Sequence, residues 1–275
     1  MKLRVHHRTH YTYTEPLRHS VQALHLWPAS GPWQTVEHWS LKSPARLHGR
    51  IDGLGNHVHH GTFAPSTRMP PVLSLEVVAA GVVITHGQAM WCDAPGLPPP
   101  DLFLRSTATV EPHPRMAQWA LQVLGATRAE AVASVESMQA LALAVQDKVR
   151  YRSGSTAVDT TALEAFDWGL GVCQDQAQVM VAVCRSLGWP ARYVSGYFYA
   201  ANEPELASHA WAEVCVDVAY RQWLAVDITH GCFTDERHIR LATGTDYSTC
   251  PPIKGVRQGG GQESMQVDIT IVEEK

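Results

Sequence analysis

The run from Gly169 to Pro190 constrains the fold of this 275-residue chain more than any other segment. Glycines lead up to Cys173, and an apolar pattern with helical spacing begins directly after it. Gly188 and Pro190 then end the pattern, as these residue types commonly end helices. Strand patterns follow at once, so we expect this helix to pack on a sheet built from the next part of the chain. The apolar residues of the predicted helix are Ala177, Val179, Met180, Val181, Val183, Cys184 and Leu187.

Cys173 lies at the predicted start of this helix. The peptide dipoles of a helix place partial positive charge at its first turn, which favours a thiolate over a thiol there. A thiolate is a strong nucleophile. A lone cysteine is more often a buried packing residue, so the prediction of a catalytic cysteine depends on a base within reach.

A histidine and an aspartate downstream of Cys173 meet that requirement. His209 begins one predicted strand and Asp227 ends the next, with a turn predicted at 217–221. In an antiparallel hairpin the start of the first strand lies beside the end of the second, and neighbouring strands are about 5 Å apart. We therefore expect His209 and Asp227 to lie within hydrogen-bonding reach. If the helix that begins at Cys173 packs on this sheet, Cys173 lies near His209.

These three residue types suit nucleophilic attack on an amide. The histidine takes the thiol proton, and the aspartate orients the ring and stabilises its protonated form. Attack on the carbonyl carbon produces an oxyanion, and the backbone N–H of a residue at a helix start is a ready donor to it. The second oxyanion donor is not identifiable from the sequence. The predicted catalytic residues are Cys173, His209 and Asp227.

The chain changes character near residue 90. Several runs within residues 1–87 alternate apolar and polar side chains, and Asp52–Asn56 is a turn signal between two of them. This part is typical of an antiparallel β-sandwich-like domain. Prolines then cluster between residues 95 and 112. We predict a β-rich N-terminal domain at 1–90, a linker or surface crossing at 91–112 and a catalytic core at 113–275.

Helices precede strands in the predicted core. The fold class that this order predicts is α+β, with helices packed on an antiparallel sheet. Helices are predicted at 115–124, 133–149 and 161–168, and strands at 192–199, 209–216, 222–227 and 265–272.

Composition excludes several classes of protein. The formal net charge is −4, with no long basic run, which argues against a nucleic-acid partner. The sequence contains neither a signal-peptide pattern at its start nor an apolar stretch of membrane-helix length, so we expect a cytoplasmic protein without a membrane partner. Its six cysteines include no CxxC pair, so we expect thiols rather than a zinc knuckle or a disulfide framework.

Several sequence blocks, in this order, resemble the bacterial branch of the transglutaminase-like superfamily, a branch of transglutaminase-like cysteine peptidases. The first half also resembles the β-rich N-terminal domain of that branch, through 11–16 and 55–56. The blocks of the core are 171–175 (GVCQD), 188–197 (GWPARYVSGY), 208–214 (SHAWAEV), 225–227 (AVD), 246–247 (DY) and 251–255 (PPIKG).

The resemblance implies a papain-like transglutaminase core with Cys173 as nucleophile, His209 as base and Asp227 as orienting residue. It implies no cofactor. The predicted function is that of a thiol enzyme acting on amide or isopeptide bonds through a Cys acyl-enzyme. Water (hydrolysis) or an amine (transglutamination) accepts the acyl group, and the acyl donor is a peptide, protein or polyamide. Neither the acyl donor nor the oligomeric state follows from the sequence.

Three positions depart from the family pattern. A Pro and an Asn-Gly pair are expected shortly after the aspartate, where this chain has 228–231 (ITHG). An arginine is common at position 245, which is Thr245, and an aromatic residue is usual at position 176, which is Gln176. These changes leave the three predicted catalytic residues in place and bear on the substrate-facing surface.

The residues beside the catalytic positions are candidates for contacts with substrate. We expect Trp168, Gln174 and Trp211 to line the site that binds the substrate. The two tryptophans also fit the alternative of filling the core.

Two other classes of function are compatible with parts of the sequence. One is a non-catalytic binding or scaffold module that retains the transglutaminase fold. The other is a metalloprotein using the histidine clusters at 6–10 and 57–60. A zinc site needs three or four converging ligands, and these clusters have no acidic or cysteine partner nearby, so we predict solvated histidines and no metal site.

Overall fold

The structure is a computed structural model that describes residues 1–64, 71–201 and 208–274, and it has the predicted α+β class. The described strands are β1 (Lys2–Tyr13), β2 (Leu17–Trp27), β3 (Gln34–Lys42), β4 (Arg46–Ile51), β5 (His57–Phe63), β6 (Ser74–Thr85), β7 (Met90–Cys92), β8 (Arg150–Tyr151), β9 (Leu170–Gly171), β10 (Ala191–Phe198), β11 (Ser208–Asp217), β12 (Gln222–Asp227), β13 (Cys232–Phe233), β14 (His238–Gly244), β15 (Ile253–Gly259) and β16 (Glu263–Glu273). The α-helices are α1 (Pro114–Leu124), α2 (Val135–Lys148), α3 (Ala162–Trp168) and α4 (Cys173–Leu187).

The N-terminal part is a sandwich of two antiparallel four-stranded sheets, as predicted. Their strand orders are β16-β1-β6-β3 and β15-β2-β5-β4. Burial along β1 alternates residue by residue, because successive side chains point to opposite faces of a strand. Leu3 and Val5 from one sheet and Leu24 and Leu26 from the other are almost completely buried in one cluster.

The strands β15 and β16 belong to these N-terminal sheets, although the predicted division assigns residues 253–273 to the core. β16 pairs with β1 from Leu3↔Glu273 to Tyr13↔Glu263, and β15 pairs with β2. The alternating pattern predicts a strand at 265–272 but carries no information about its partner. The pairing covers an edge of β1 that would otherwise expose unpaired backbone groups.

The core is an antiparallel sheet covered by helices, again as predicted. Its strand order is β13-β12-β11-β10-β14, and β7 adds to β12 with Trp91 opposite Trp223. Part of the predicted linker therefore contributes a strand to the core sheet. Helix α4 packs on β10 and β11 and is itself surrounded by α1, α2 and α3. None of the described helices has the length and hydropathy needed to cross a membrane.

Local sequence accounts for the ends of the helices. In α3 the Thr161 side chain accepts from the Glu164 backbone N–H, and Glu164 bonds back to the Thr161 backbone. Helix α4 ends at Gly188, whose φ of 85° lies in the left-handed region that glycine adopts without strain. The helix that carries Cys173 thus begins and ends where the sequence pattern predicts.

The sandwich and the core share a hydrophobic cluster. Tyr197, Ile239 and Leu241 of the core pack in the same cluster as the inner faces of the two N-terminal sheets. Hydrogen bonds add to this contact: the Asn56 side chain donates to the Thr243 carbonyl at 2.8 Å. The N-terminal part therefore packs directly against the core.

Candidate active site

Cys173 is the first residue of α4, and the turn before it is held in one conformation. The Asp175 carboxylate accepts hydrogen bonds from the Val172 backbone N–H at 2.8 Å and from the Thr156 hydroxyl at 2.7 Å. Gly171 leaves room for this carboxylate, since a Cβ there would lie 2.6 Å from the Asp175 Cβ. The half-buried Cys173 side chain therefore sits at a rigid helix start, where backbone N–H groups have no helical partner.

His209 and Asp227 meet through the predicted hairpin. β11 pairs antiparallel with β12, and Ala212 lies opposite Val226. This register brings the start of β11 beside the end of β12. His209 Nε2 donates to Asp227 Oδ2 at 2.8 Å, and both residues are buried.

The Cys173 side chain lies close to the His209 ring and contributes to raising the pKa of that ring. Because Nε2 of His209 faces Asp227, Nδ1 is the ring nitrogen that remains for the thiol. Burial lowers the pKa of His209, but the negative charge and hydrogen bond of Asp227, together with the contact to Cys173, outweigh it and leave the pKa raised above its ordinary value of 6.5. The protonated ring is therefore stabilised beside the cysteine.

Asp227 binds two further histidines. His230 Nδ1 lies 2.7 Å and His238 Nε2 lies 2.9 Å from the same Oδ2 atom, and the His230 backbone N–H donates to Oδ1 at 3.2 Å. Burial raises the pKa of Asp227, but the charge and hydrogen bond of His209 and the hydrogen bonds of the other two rings hold it well below 3.8. The carboxylate is thus ionised despite complete burial.

The two additional histidines are themselves held in place. His238 Nδ1 lies 3.0 Å from the Asp235 backbone N and 3.1 Å from its Oδ1. Burial lowers the pKa of His238, yet the bonds to Asp227 and Asp235 leave it raised. The His230 ring stacks on Phe198 with 4.0 Å between centroids. In the sequence His230 lies three residues after Asp227, within the run 228–231 that departs from the family pattern. The sequence gives no signal for His238, which β14 brings to the site.

His209, Asp227 and His238 are the described residues that could hold a metal ion, since one ligand atom from each lies within 4.8 Å of the others. Nε2 of His209 and Nε2 of His238 each hydrogen-bond to the Asp227 carboxylate in this structure.

The N-terminal histidines agree only in part with the prediction that they are solvated. His7 is buried, and its ring contacts the Tyr197 hydroxyl at 2.7 Å.

The three predicted substrate-lining residues lie in different surroundings. Trp168 ends α3 and is 56% exposed. Gln174 follows Cys173 and donates to the Val158 carbonyl at 3.2 Å. Trp211 is only 2% exposed, and its ring lies 5.4 Å from that of His238, so it fills the core beneath the histidines. The burial of Trp211 on β11 agrees with the alternative of a core role.

The departures from the family pattern form contacts of their own. The Thr229 hydroxyl donates to Gln176 Oε1 at 2.7 Å, and Gln176 Nε2 donates to the Val149 carbonyl at 2.7 Å. These bonds connect α4 to the loop that follows Asp227. The buried Arg185 side chain donates to the Thr245 carbonyl at 2.6 Å. Position 245 therefore contacts α4 through its backbone.

Relatives of this chain cover nearly its whole length. An uncharacterized protein of Mycobacterium leprae is 29% identical over 98% of both chains, and an uncharacterized protein of Mycobacterium tuberculosis strain H37Rv is 28% identical over 98% of this chain and 91% of its own. Among solved structures, a "putative cysteine protease" from Cytophaga hutchinsonii has a TM-score of 0.76 at 19% identity, covering 100% of this chain and 92% of that one. This likeness establishes a shared fold.

Family models match both parts of the chain. The model described as "Transglutaminase-like superfamily" matches residues 118–228, which contain Cys173, His209 and Asp227. The model described as "Bacterial transglutaminase-like N-terminal region" matches residues 3–83, within the sandwich. The two matches together cover more than half of the chain and confirm the resemblance found in the sequence blocks. This chain belongs to the transglutaminase-like superfamily, with the N-terminal region of its bacterial members.

Proposed function

We propose that this protein is a thiol enzyme that acts on amide or isopeptide bonds through an acyl-enzyme at Cys173. One observation carries the proposal: the cysteine at the start of α4 lies close to His209, and His209 donates to the buried Asp227 at 2.8 Å. A nucleophile, a base and an orienting carboxylate in this arrangement are the requirements for acyl transfer. The cysteine protease description of the Cytophaga protein with the same fold supports the class.

In the proposed reaction His209 takes the thiol proton, and the Cys173 sulfur attacks the carbonyl carbon of the substrate amide. The backbone N–H of Cys173 is positioned to stabilise the resulting oxyanion, because the first N–H groups of a helix are unpaired. The C–N bond then breaks, and the leaving amine takes the proton from His209. Asp227 keeps the ring oriented and stabilises its charge throughout.

The thioester at Cys173 is released by a second nucleophile. Water gives the free acid, and a primary amine gives a new amide, so the same residues serve hydrolysis and amine transfer. We propose hydrolysis as the main reaction. The acyl donor is an uncharged amide of a peptide, protein or polyamide.

Product analysis separates these reactions. The protein is incubated with a glutamine-containing protein substrate, with and without a biotin-labelled primary amine, and both ammonia release and biotin incorporation are measured. We expect ammonia release without the amine, at a rate that exceeds biotin incorporation. Incorporation exceeding ammonia release would instead assign amine transfer as the main reaction.

The alternative proposal is a binding or scaffold module that keeps the fold without catalysis. Cys173→Ala and the matched variant Cys184→Ala distinguish the two, since Cys184 is a fully buried cysteine of the same helix. Catalysis requires that Cys173→Ala abolish product formation while Cys184→Ala retains it. Undiminished product formation by Cys173→Ala would contradict the proposal that this protein is a thiol enzyme.

A cytoplasmic location stays a prediction.

A further inference from the structure

A cleft of about 160 Å³ lies between the sandwich and the core. β1 contributes Thr9 and Tyr11 to its wall, and β16 contributes Met265 and Val267. Ser208 and Tyr247 close it from the core side. The C-terminal strand β16, paired with β1, therefore forms part of the wall of the cleft.

Tyr247 and Ser208 connect the cleft to the candidate active site. Ser208 directly precedes His209 on β11. Tyr247 packs against the same buried cluster as Cys173, and its ring lies 5.9 Å from that of Tyr193 within that cluster. One lining residue, Tyr247, is thus a neighbour of Cys173 in space, and another, Ser208, is the chain neighbour of His209.

The lining of the cleft carries no charge near neutral pH. Its histidine, His7, is bonded to the Tyr197 hydroxyl at 2.7 Å and to the Thr9 hydroxyl at 3.0 Å. Burial, helped by the nearby His6, lowers the pKa of His7 to about 4, so this ring is neutral at pH 7. The other lining groups are apolar, aromatic or hydroxyl-bearing side chains. A charged group inside this cleft would lose hydration without gaining an ionic partner.

Apolar surface is left open here on strand β16. Met265 is 59% and Val267 42% exposed, and both face the cleft. Exposed apolar side chains that line a concave surface are typical of binding sites. The volume is below the roughly 300–1,000 Å³ of pockets for drug-sized ligands. It suits one side chain of a larger substrate rather than a whole small molecule.

We propose that this cleft is a specificity subsite, which takes an uncharged apolar side chain of the acyl donor beside the carbonyl that Cys173 attacks. The proposal rests on the proposed function, because it assumes an acyl donor at Cys173. It assigns to the N-terminal sandwich, through β1 and β16, a share in choosing the substrate.

The test measures alkylation of Cys173 in the full chain, by mass spectrometry of the peptide that contains it. Three probes are compared: iodoacetamide, acetyl-phenylalanyl chloromethyl ketone and acetyl-aspartyl chloromethyl ketone. In each case the sulfur displaces the halide and the thiol proton is lost, so a common step reports on different side chains. The readout is the rate with each ketone divided by the rate with iodoacetamide.

Val267→Asp places a charge in the cleft, and Val272→Asp is its matched control. Val272 is a valine of the same strand, 46% exposed, outside the cleft lining. We expect the wild type and Val272→Asp to react at least tenfold faster with the phenylalanyl than with the aspartyl ketone. We expect Val267→Asp to lose at least tenfold of its normalised rate with the phenylalanyl ketone. Met265→Asp carries the same expectation if Val267→Asp does not fold.

Absence of a preference in the wild type would overturn the subsite. So would an unchanged preference in the cleft variants, or an equal loss in Val272→Asp. Failure of the proposed function is separate: it would appear as iodoacetamide labelling of Cys173 that is the same in His209→Asn as in the wild type.

Discussion

At Asp227 a single carboxylate oxygen has three imidazole rings within 2.9 Å. Such a buried anion is stable because its donors are held by other groups: His238 by Asp235 and His230 by Phe198. His230 and His238 therefore position Asp227, which in turn orients His209. The proposed orienting residue therefore belongs to a network of three histidines rather than to a linear triad.

Replacing the carboxylate tests its role. In Asp227→Asn the charge that stabilises protonated His209 is lost, and the amide favours the wrong ring tautomer. We expect kcat/KM to fall by about 10³–10⁴-fold, as for the equivalent change in a serine-protease triad. Steady-state kinetics on the substrate identified by ammonia release measure the effect. Asp101→Asn, a change at an exposed aspartate outside this network, serves as the control.

Titration of His238 produces a second prediction. Its folded pKa is raised above 6.5, so the folded state holds the proton more tightly than the unfolded chain. The stabilisation is fully present below pH 6.5 and is lost as the pH rises through the folded pKa. We expect the wild type's advantage over His238→Gln in free energy of unfolding to shrink between pH 6 and pH 8, measured by urea denaturation. An advantage that grows over this interval would contradict the assignment.

At the scale of elements, buried ion pairs join the strands of the core sheet. Glu213 on β11 accepts from Arg192 on β10 at 2.5 Å and from Arg240 on β14 at 2.8 Å. Arg192 also forms two bonds to Asp93, at 2.8 and 3.0 Å. The two cations and two anions balance each other. They connect three neighbouring strands to the chain segment that crosses from the sandwich.

Removing one charge from this network leaves buried guanidinium groups without a full complement of partners. We expect Glu213→Gln to lower the free energy of unfolding by about 3–5 kcal/mol, measured by urea denaturation. Asp167→Asn breaks the exposed ion pair with Arg115, and we expect it to change the free energy of unfolding by less than about 1 kcal/mol. Equal effects of the two substitutions would contradict this account of the network.

The start of α4 shows how one element presents the proposed nucleophile, Cys173. Asp175 holds Val172 and Thr156, and Gly171 provides the space for that carboxylate. The pattern of glycines before Cys173 therefore has a steric cause that the sequence alone did not reveal. The same residues place the cysteine at the positive end of the helix.

At the scale of the whole molecule, the two ends of the chain form one sheet. β16 pairs with β1 along eleven residues, and Ile269 and Ile271 pack against the cluster shared by sandwich and core. The last strand therefore supports the sandwich and, in our proposal, the substrate cleft.

A chain that ends at residue 262 tests this closure. This shortened chain lacks β16, so the backbone edge of β1 and nearby apolar side chains become exposed. An exposed strand edge favours pairing with another chain. We expect aggregation or a shifted elution volume in size-exclusion chromatography, while a chain lacking only Lys275 elutes like the full chain. A monomeric truncated chain with unchanged thermal stability would contradict the structural role of β16.

Short-range patterns in the sequence determined the helices, most strands, the helix start at Cys173 and the meeting of His209 with Asp227. That meeting was predictable because one hairpin joins the two residues, 18 positions apart. Only the tertiary structure decided the partners of β15 and β16, the burial of Trp211 and the arrival of His238 at Asp227. The physical reason is that alternation specifies a strand and its buried face, whereas the choice of neighbour depends on which distant surfaces bury each other.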